Sequence, residues 1–123
     1  MKLVDSCGWL HLFKNTVLAD TYRNILQESD VLVPTIVLYE VSKVLKRDIG
    51  ESVSMACALR MQQETVVDLS DVLALEAADI ALDRGLVMAD AIIYATAQRY
   101  DAELYSSDAD LKGLPGVQFI PID

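Results

Sequence analysis

The chain has 123 residues, of which 53% are hydrophobic, and its formal net charge at pH 7 is −9. This length fits one domain, residues 1–123, and the apolar fraction is large enough for a sizeable core, which excludes a disordered chain. The acidic balance argues against a general nucleic-acid coat, because such proteins are usually basic. That argument fails if the acids gather around a divalent metal, which inverts the local field.

The sequence contains no recognisable targeting or membrane segment. The chain reaches Asp5 after only two consecutive apolar residues, and the longest apolar run, VLVPTIVLY, is interrupted by Pro34 and is far too short to span a bilayer. Cys7 and Cys57 lack metal-ligand spacing, so reduced thiols are expected. These features predict a cytoplasmic protein with no membrane association.

Short β-rich runs alternate with helical segments along the chain. Strands are predicted over MKLVD, DVLVP, TVVDL, AELYS and GVQFIP. Helices are predicted to begin near Cys7, to span 20–29, to run from a Thr35 cap to about Arg47, and to cover 51–64, 70–85 and MADAIIYATAQRYD. This alternation predicts an α/β fold with three layers (α/β/α) and a mainly parallel sheet of about five short strands. Ligands of such sheets bind outside the carboxyl ends of the strands.

Acidic residues follow two of these strands. Asp5 ends the first strand, and Asp108 and Asp110 come directly after the fourth. If the strands are parallel, all three lie at one edge of the sheet. Two local alternatives remain open: Asp5 could cap the next helix, and an Asx turn could account for Asp108 or Asp110.

Glu40 borders the apolar side of its helix. That stripe is formed by Val37, Val41, Val44 and Leu45. A carboxylate at its margin is partly desolvated, so it needs a cation or hydrogen-bond donors. Lys43 or Arg47 could supply the cation, and this is the purely structural alternative.

Asp90 also lies at the margin of a predicted buried helix face. The face is formed by Ala89, Ile93, Ala97 and Tyr100. Asp90 is close to the start of the helix, where the helix dipole stabilises an anion, so capping is again the alternative. Acids that converge from separate elements repel one another and cost stability unless they bind a cation. An all-oxygen cluster suits Mg²⁺ or Mn²⁺, ions that promote phosphodiester hydrolysis.

At these residues the chain resembles the PIN-domain family and, within it, the VapC-type toxins. VDSCGWL is similar to the first-strand Asp and small hydroxyl residue of the family, and VPTIVLYEVSKVL resembles the helix that bears its Glu. LVMADAIIYATAQRYDAELYSSDADLKGLPGVQFIP is similar to the family's helix-borne Asp, strand, Thr/Ser-x-Asp and Leu-Pro-Gly turn. The likeness spans almost the whole chain and departs at Leu111, where many relatives have Phe, and at Ser106, where Thr is commoner.

The resemblance implies a metal-dependent endoribonuclease that uses Mg²⁺ or Mn²⁺, and most specifically the toxin of a toxin–antitoxin pair, with RNA as substrate and a small antitoxin protein as partner. It implies a catalytic and metal-binding acidic set of Asp5, Glu40, Asp90 and Asp108. Asp110 matches a further acid that would join the metal site, and Ser6 and Ser106 match hydroxyl positions that orient the acids. An RNA-processing nuclease outside such a pair is the alternative within the family.

Two other classes of protein fit the sequence less well. A receiver-type phosphoacceptor also has a parallel sheet and an acidic Mg²⁺ pocket, but Asp5 is followed by Ser6 and the final segment GVQFIPID has no Lys. A non-catalytic interaction domain would be expected to have lost an acid, and all four are present.

Several charged and apolar patches remain outside the acidic set. A basic patch of Lys43, Lys46 and Arg47 is either ordinary surface charge or a guide for RNA. The acidic row of Glu76, Asp79 and Asp83 is interpreted as a solvated helix face. Apolar residues of helix 51–64 are either core or a contact in a homodimer: Met55, Cys57, Leu59 and Met61.

Overall fold

A computed structural model describes residues 1–27 and 30–122. The strands are β1 (Lys2–Val4), β2 (Val31–Pro34), β3 (Thr65–Val67), β4 (Glu103–Ser106) and β5 (Val117–Phe119). The helices are α1 (Ser6–Phe13), α2 (Ala19–Gln27), α3 (Thr35–Asp48), α4 (Glu51–Gln62), α5 (Asp71–Arg84) and α6 (Met88–Arg99), and a 3₁₀ turn covers Ala109–Leu111. The last two residues of the helix predicted over 20–29 lie outside the described part of the chain.

The strands form one sheet in the order β3-β2-β1-β4-β5, and every pair of neighbours is parallel. Leu3 of β1 pairs with Leu32 on one side and with Leu104 on the other. The chain therefore builds the sheet outward from β1 to β3 and then returns to the other side of β1 with β4. The prediction of a parallel sheet of about five short strands is confirmed.

Layering follows from the handedness of these connections. Right-handed crossovers send the connections from β1 to β2 to β3, which contain α1–α4, to one face of the sheet, and the return to β4 sends α5 and α6 to the other. Leu3, Val4, Leu32, Val33 and Leu104 are fully or almost fully buried between these layers. Between β1 and β4 the direction of strand addition reverses, and ligands of open α/β sheets bind at such a point.

Two details of the sequence interpretation are wrong. Thr35 does not cap α3, since Pro34 holds the cap position without a side-chain hydrogen bond and Thr35 is the first helical residue. On α6, burial extends over every residue from Asp90 to Ala97 rather than along one stripe, while Tyr100 is exposed. The cause is packing: α6 contacts both α5 and β4, so more than one of its faces is covered.

Candidate active site

Three carboxylates from three different elements meet at the carboxyl edge of the sheet. Asp5 follows β1, Asp90 lies in the first turn of α6, and Asp108 follows β4. One carboxylate oxygen of each residue lies within 4.8 Å of the others. Asp5 and Asp90 are buried, and Asp108 is partly exposed, so the cluster can be reached from solvent on one side.

Asp5 is both a helix cap and a member of this cluster. Its Oδ1 accepts a hydrogen bond of 2.7 Å from the backbone N–H of Ser6, the first residue of α1, and Asp5 is the N-cap of that helix. Its Oδ2 accepts a bond of 2.7 Å from the Ser106 hydroxyl. With 3% of its surface exposed, the side chain is fixed on both oxygens. Capping therefore does not compete with a role in the site.

The Ser106 hydroxyl connects the ends of β1 and β4. It donates to Asp5 Oδ2 and accepts a hydrogen bond of 2.9 Å from the backbone N–H of Asp108. Ser106 is fully buried, so these bonds do not compete with water. One small side chain thus sets the relative position of two carboxylates that are far apart in sequence.

Glu40 is joined to the cluster indirectly. Its Oε1 accepts a hydrogen bond of 2.9 Å from the Ser6 hydroxyl, which also lies 3.3 Å from Asp5 Oδ1. It does not belong to the group of three carboxylates whose oxygens lie within 4.8 Å. Within residues 1–27 and 30–122, Glu40 forms no ion pair with Lys43 or with Arg47, which instead pairs with Asp48. The described residues therefore contain no direct ion pair for Glu40, and the Ser6 hydroxyl supplies its hydrogen bond instead.

Asp110 lies further from the centre. Its side chain is exposed, and its backbone N–H donates a hydrogen bond of 2.9 Å to Asp108 Oδ1. This is the Asx turn that the sequence allowed, and its hydrogen bond fixes the orientation of the Asp108 carboxylate. The Asp110 carboxylate itself is outside the three-oxygen cluster.

Burial and mutual repulsion make the carboxyl groups of this cluster harder to ionise. Desolvation, followed by the charges of Asp108 and Asp5, raises the pKa of Asp90 to about 7. Desolvation also raises the pKa of Asp5 and of Glu40, against the hydrogen bonds from Ser106 and Ser6 that lower them. A cation bound here would relieve the cost of ionising these acids.

The donor set fits a hard divalent cation. Asp5, Asp90 and Asp108 offer only carboxylate oxygens, which Mg²⁺ and Mn²⁺ prefer, and Glu40 and Asp110 add two more acids at the periphery. The hydroxyls of Ser6 and Ser106 hold these acids in place, as metal sites require of their outer partners.

A second set of contacts behind the cluster was not predicted from the sequence. The Tyr22 hydroxyl lies 2.6 Å from the Ser107 hydroxyl, and the Ser107 N–H donates to Cys7 Sγ at 3.4 Å. Cys7 Sγ in turn lies 3.6 Å from Asp5 Oδ2. Desolvation raises the pKa of Cys7 to about 12 and also raises that of Tyr22, so both side chains keep their protons.

Gly8 makes this arrangement possible. A Cβ at position 8 would lie 2.5 Å from Tyr22 Cε1 and 2.5 Å from Val4 Cγ1, so only glycine lets α1 approach the ring this closely. The signals in the sequence were slight: a glycine inside a helix and a second serine in YSSDAD.

The sequence matches the PIN domain over residues 2–117. The chain belongs to the PIN domain family. No similar protein was found among curated sequences.

Solved structures show the same PIN fold at low sequence identity. A toxin–antitoxin complex from Klebsiella pneumoniae superposes with a TM-score of 0.86 at 22% identity and covers 99% of this chain and 100% of its own. The Mycobacterium tuberculosis toxin VapC20, which cleaves the sarcin-ricin loop, gives 0.79 at 21% identity, with 96% and 99% covered. VapBC2 from Rickettsia felis, bound to a DNA fragment from its promoter, gives 0.75 at 15% identity, with 98% and 97% covered. In the described part of this PIN domain, no helix is long and apolar enough to cross a membrane.

Proposed function

We propose that this PIN domain, residues 1–123 as a single nuclease domain, is a metal-dependent endoribonuclease and the VapC-type toxin of a toxin–antitoxin pair. The observation that carries the proposal is the convergence of Asp5, Asp90 and Asp108 at the point where the order of strand addition reverses. Their donor chemistry suits Mg²⁺ or Mn²⁺.

The acids have two different roles in this proposal. Asp5, Asp90 and Asp108 would hold the ion, and Glu40 and Asp110 would add negative charge next to these three acids. When bound, the ion supplies an activated water and stabilises the charge that develops on the phosphate. Ser106 keeps Asp5 and Asp108 at a fixed separation, and Ser6 does the same for Asp5 and Glu40.

Asp90 differs from the other acids because its pKa is raised to about 7. Without a cation, Asp90 holds a proton for part of the time at neutral pH, and that proton is released when positive charge binds. Metal binding should therefore strengthen as pH rises through neutrality.

A protein partner and a second copy of the chain complete the proposal. The toxin–antitoxin complex from Klebsiella pneumoniae and VapBC2 from Rickettsia felis share this fold, which supports a small antitoxin protein as the partner.

Leu59 and Met55 of α4 are exposed, at 64% and 57%, while Met61 is buried, so part of that helix is free for a homodimer contact. The nuclease would act on RNA in the cytoplasm.

The test is cleavage of a mixed RNA panel by the purified protein, with Mn²⁺ or Mg²⁺ and with chelator. We expect internal cleavage only when the metal is present, and its loss in Asp5→Asn. Cleavage that proceeds equally well in chelator would contradict the proposed mechanism, because the carboxylates would then have no cation to hold.

A further inference from the structure

A groove lies between α3 and α4, and α3 is the helix that bears Glu40. The groove has a volume of about 430 Å³, and its lining residues come from both helices: Leu38, Tyr39, Ser42, Lys43, Lys46, Ala58 and Gln62. Two of these residues, Tyr39 and Lys43, flank Glu40 in the sequence of α3, and Glu40 is joined to the site through the Ser6 hydroxyl. The rise of an α-helix, about 1.5 Å per residue, puts Lys43 and Lys46 successively further along it.

The side chains of this groove combine an exposed ring with positive charge. Tyr39 is 60% exposed although it is a large aromatic residue. Lys43 Nζ lies 5.2 Å from the centre of the Tyr39 ring, and within residues 1–27 and 30–122 Lys43 forms no ion pair. Lys46 makes a long contact of 3.8 Å with Glu51, and both side chains are more than half exposed.

We propose that this groove binds single-stranded RNA, with a base stacked on Tyr39 and the backbone phosphates held by Lys43 and Lys46. The inference rests on the proposed function, because it supplies the substrate contact that the acidic cluster cannot make. A chain with a net charge of −9 repels RNA as a whole, so binding next to the carboxylates requires local cations.

Charge complementarity favours RNA over a protein as the occupant. A stacking ring beside a track of lysines is the arrangement by which proteins hold single strands without reading their sequence. The groove floor of Leu38 and Ala58 is apolar, which suits the face of a base.

The experiment measures binding of a fluorescein-labelled single-stranded RNA 12-mer pool of random sequence, by anisotropy in Mn²⁺. Asp90→Asn is the background, so that the probe is not cleaved. Tyr39→Ala should weaken binding about tenfold, whereas Tyr39→Phe, which keeps the ring, should not. Lys43→Gln should weaken binding several-fold and reduce the salt dependence by about one phosphate contact.

Matched controls lie at the far end of α6. Tyr100 is an exposed aromatic residue and Arg99 an exposed cation, about 14 Å along the helix from Asp90. Tyr100→Ala and Arg99→Gln should bind the probe as the background protein does. Loss of binding in these controls to the same extent, unchanged binding in Tyr39→Ala and Lys43→Gln, or no binding by the background protein would each overturn the inference.

Failure of this inference is distinguishable from failure of the proposed function. If the wild-type chain cleaves RNA with metal but Tyr39→Ala and Lys43→Gln cleave it with unchanged KM, the nuclease stands and the groove is not its substrate site. The groove would then be better suited to a protein. If the groove variants lose RNA binding but no metal-dependent cleavage occurs, the RNA site stands and the nuclease proposal fails.

Discussion

Two groups of acidic side chains in this molecule have similar compositions and opposite surroundings. Glu76, Asp79 and Asp83 occupy one side of α5, where Asp79 and Asp83 are exposed and Glu76 pairs with Arg99. Asp5, Asp90 and Asp108 come from three elements, and their oxygens lie within 4.8 Å of one another. The first group is close in sequence and mostly exposed to solvent. The second is distant in sequence and gathered at one edge of the sheet.

This difference shows what distinguishes a candidate site from a charged surface. Water screens the α5 acids from one another, so their repulsion costs little. Burial removes that screening at the sheet edge, and the cost appears as the raised pKa of Asp90 and of Asp5. A fold keeps such a cluster only if something compensates for it, and a bound cation is the simplest compensation.

The largest expected effect is on RNA cleavage, when one acid of each group is replaced by asparagine. Asp90→Asn keeps the shape of the side chain but removes a proposed metal ligand. Metal-dependent RNA cleavage should therefore fall by at least about 100-fold, because mutation of even an outer partner of a metal ligand lowers metal affinity or activity by about 10- to 100-fold. Asp79→Asn makes the same chemical change on exposed α5 and should cleave as the parent does. Initial rates on one RNA substrate measure both.

Thermal melts provide the matching control. Mn²⁺ should raise the melting temperature of the parent and of Asp79→Asn, because it binds the folded state, and should raise that of Asp90→Asn much less. The same Mn²⁺ response in parent and Asp90→Asn would show that Asp90 is not a ligand.

The next effect concerns the stability of the metal-free protein. The pKa of Asp90 is about 7 in the folded state, above its ordinary value of 3.8, so between these values the folded state binds more protons than the unfolded state. The free energy of unfolding should therefore fall as pH rises from about 4 to 7, by roughly 3 kcal/mol. Melts in chelator at pH 5 and pH 8 test this.

Asp90→Asn should lose most of that pH dependence, whereas Asp83→Asn on the exposed face should keep it. Added Mn²⁺ should remove it from the parent by stabilising the ionised cluster at pH 8. A metal-free parent that is more stable at pH 8 than at pH 5 would contradict the electrostatic account of the site.

The smallest effect tests whether the contacts behind the cluster position it. Tyr22→Phe removes the hydroxyl that lies 2.6 Å from Ser107, next to Asp108. Tyr94→Phe removes a hydroxyl that donates at 2.7 Å to the Pro115 carbonyl. Both rings are buried, so each change should cost about 1 kcal/mol of stability. Only Tyr22→Phe should also weaken Mn²⁺ binding, by about tenfold.

The readout is the Mn²⁺ concentration that gives half of the maximal rise in melting temperature. An equal shift for the two tyrosine variants would mean that the Tyr22 hydrogen bond serves stability alone.

The sheet and the meeting of the strand-end acids were predictable because both follow from periodicity and topology. Parallel strands of alternating βα units must share a carboxyl edge, which is why Asp5 and Asp108 could be placed together from the sequence. Asp90 and Glu40 were found by their position beside apolar helix faces.

Side-chain reach and long-range contacts were not predictable. Whether Glu40 enters the cluster depends on where the Ser6 hydroxyl holds it, and no spacing encodes that. The Tyr22–Ser107 contact joins residues 85 apart in sequence and depends on a glycine that fits no motif. The Thr35 cap failed because Pro34 already supplies the extended geometry that begins the helix.

The order in which the sheet is built has a consequence for dividing the protein. The residues up to β3 supply the strands on one side of the boundary between β1 and β4. The residues from α5 onward supply the strands on the other side. The first part contains Asp5 and Glu40, and the second contains Asp90 and Asp108. A chain split within 68–70 would therefore place two of the four acids on each fragment, and the proposed nuclease activity should appear only when the two fragments associate.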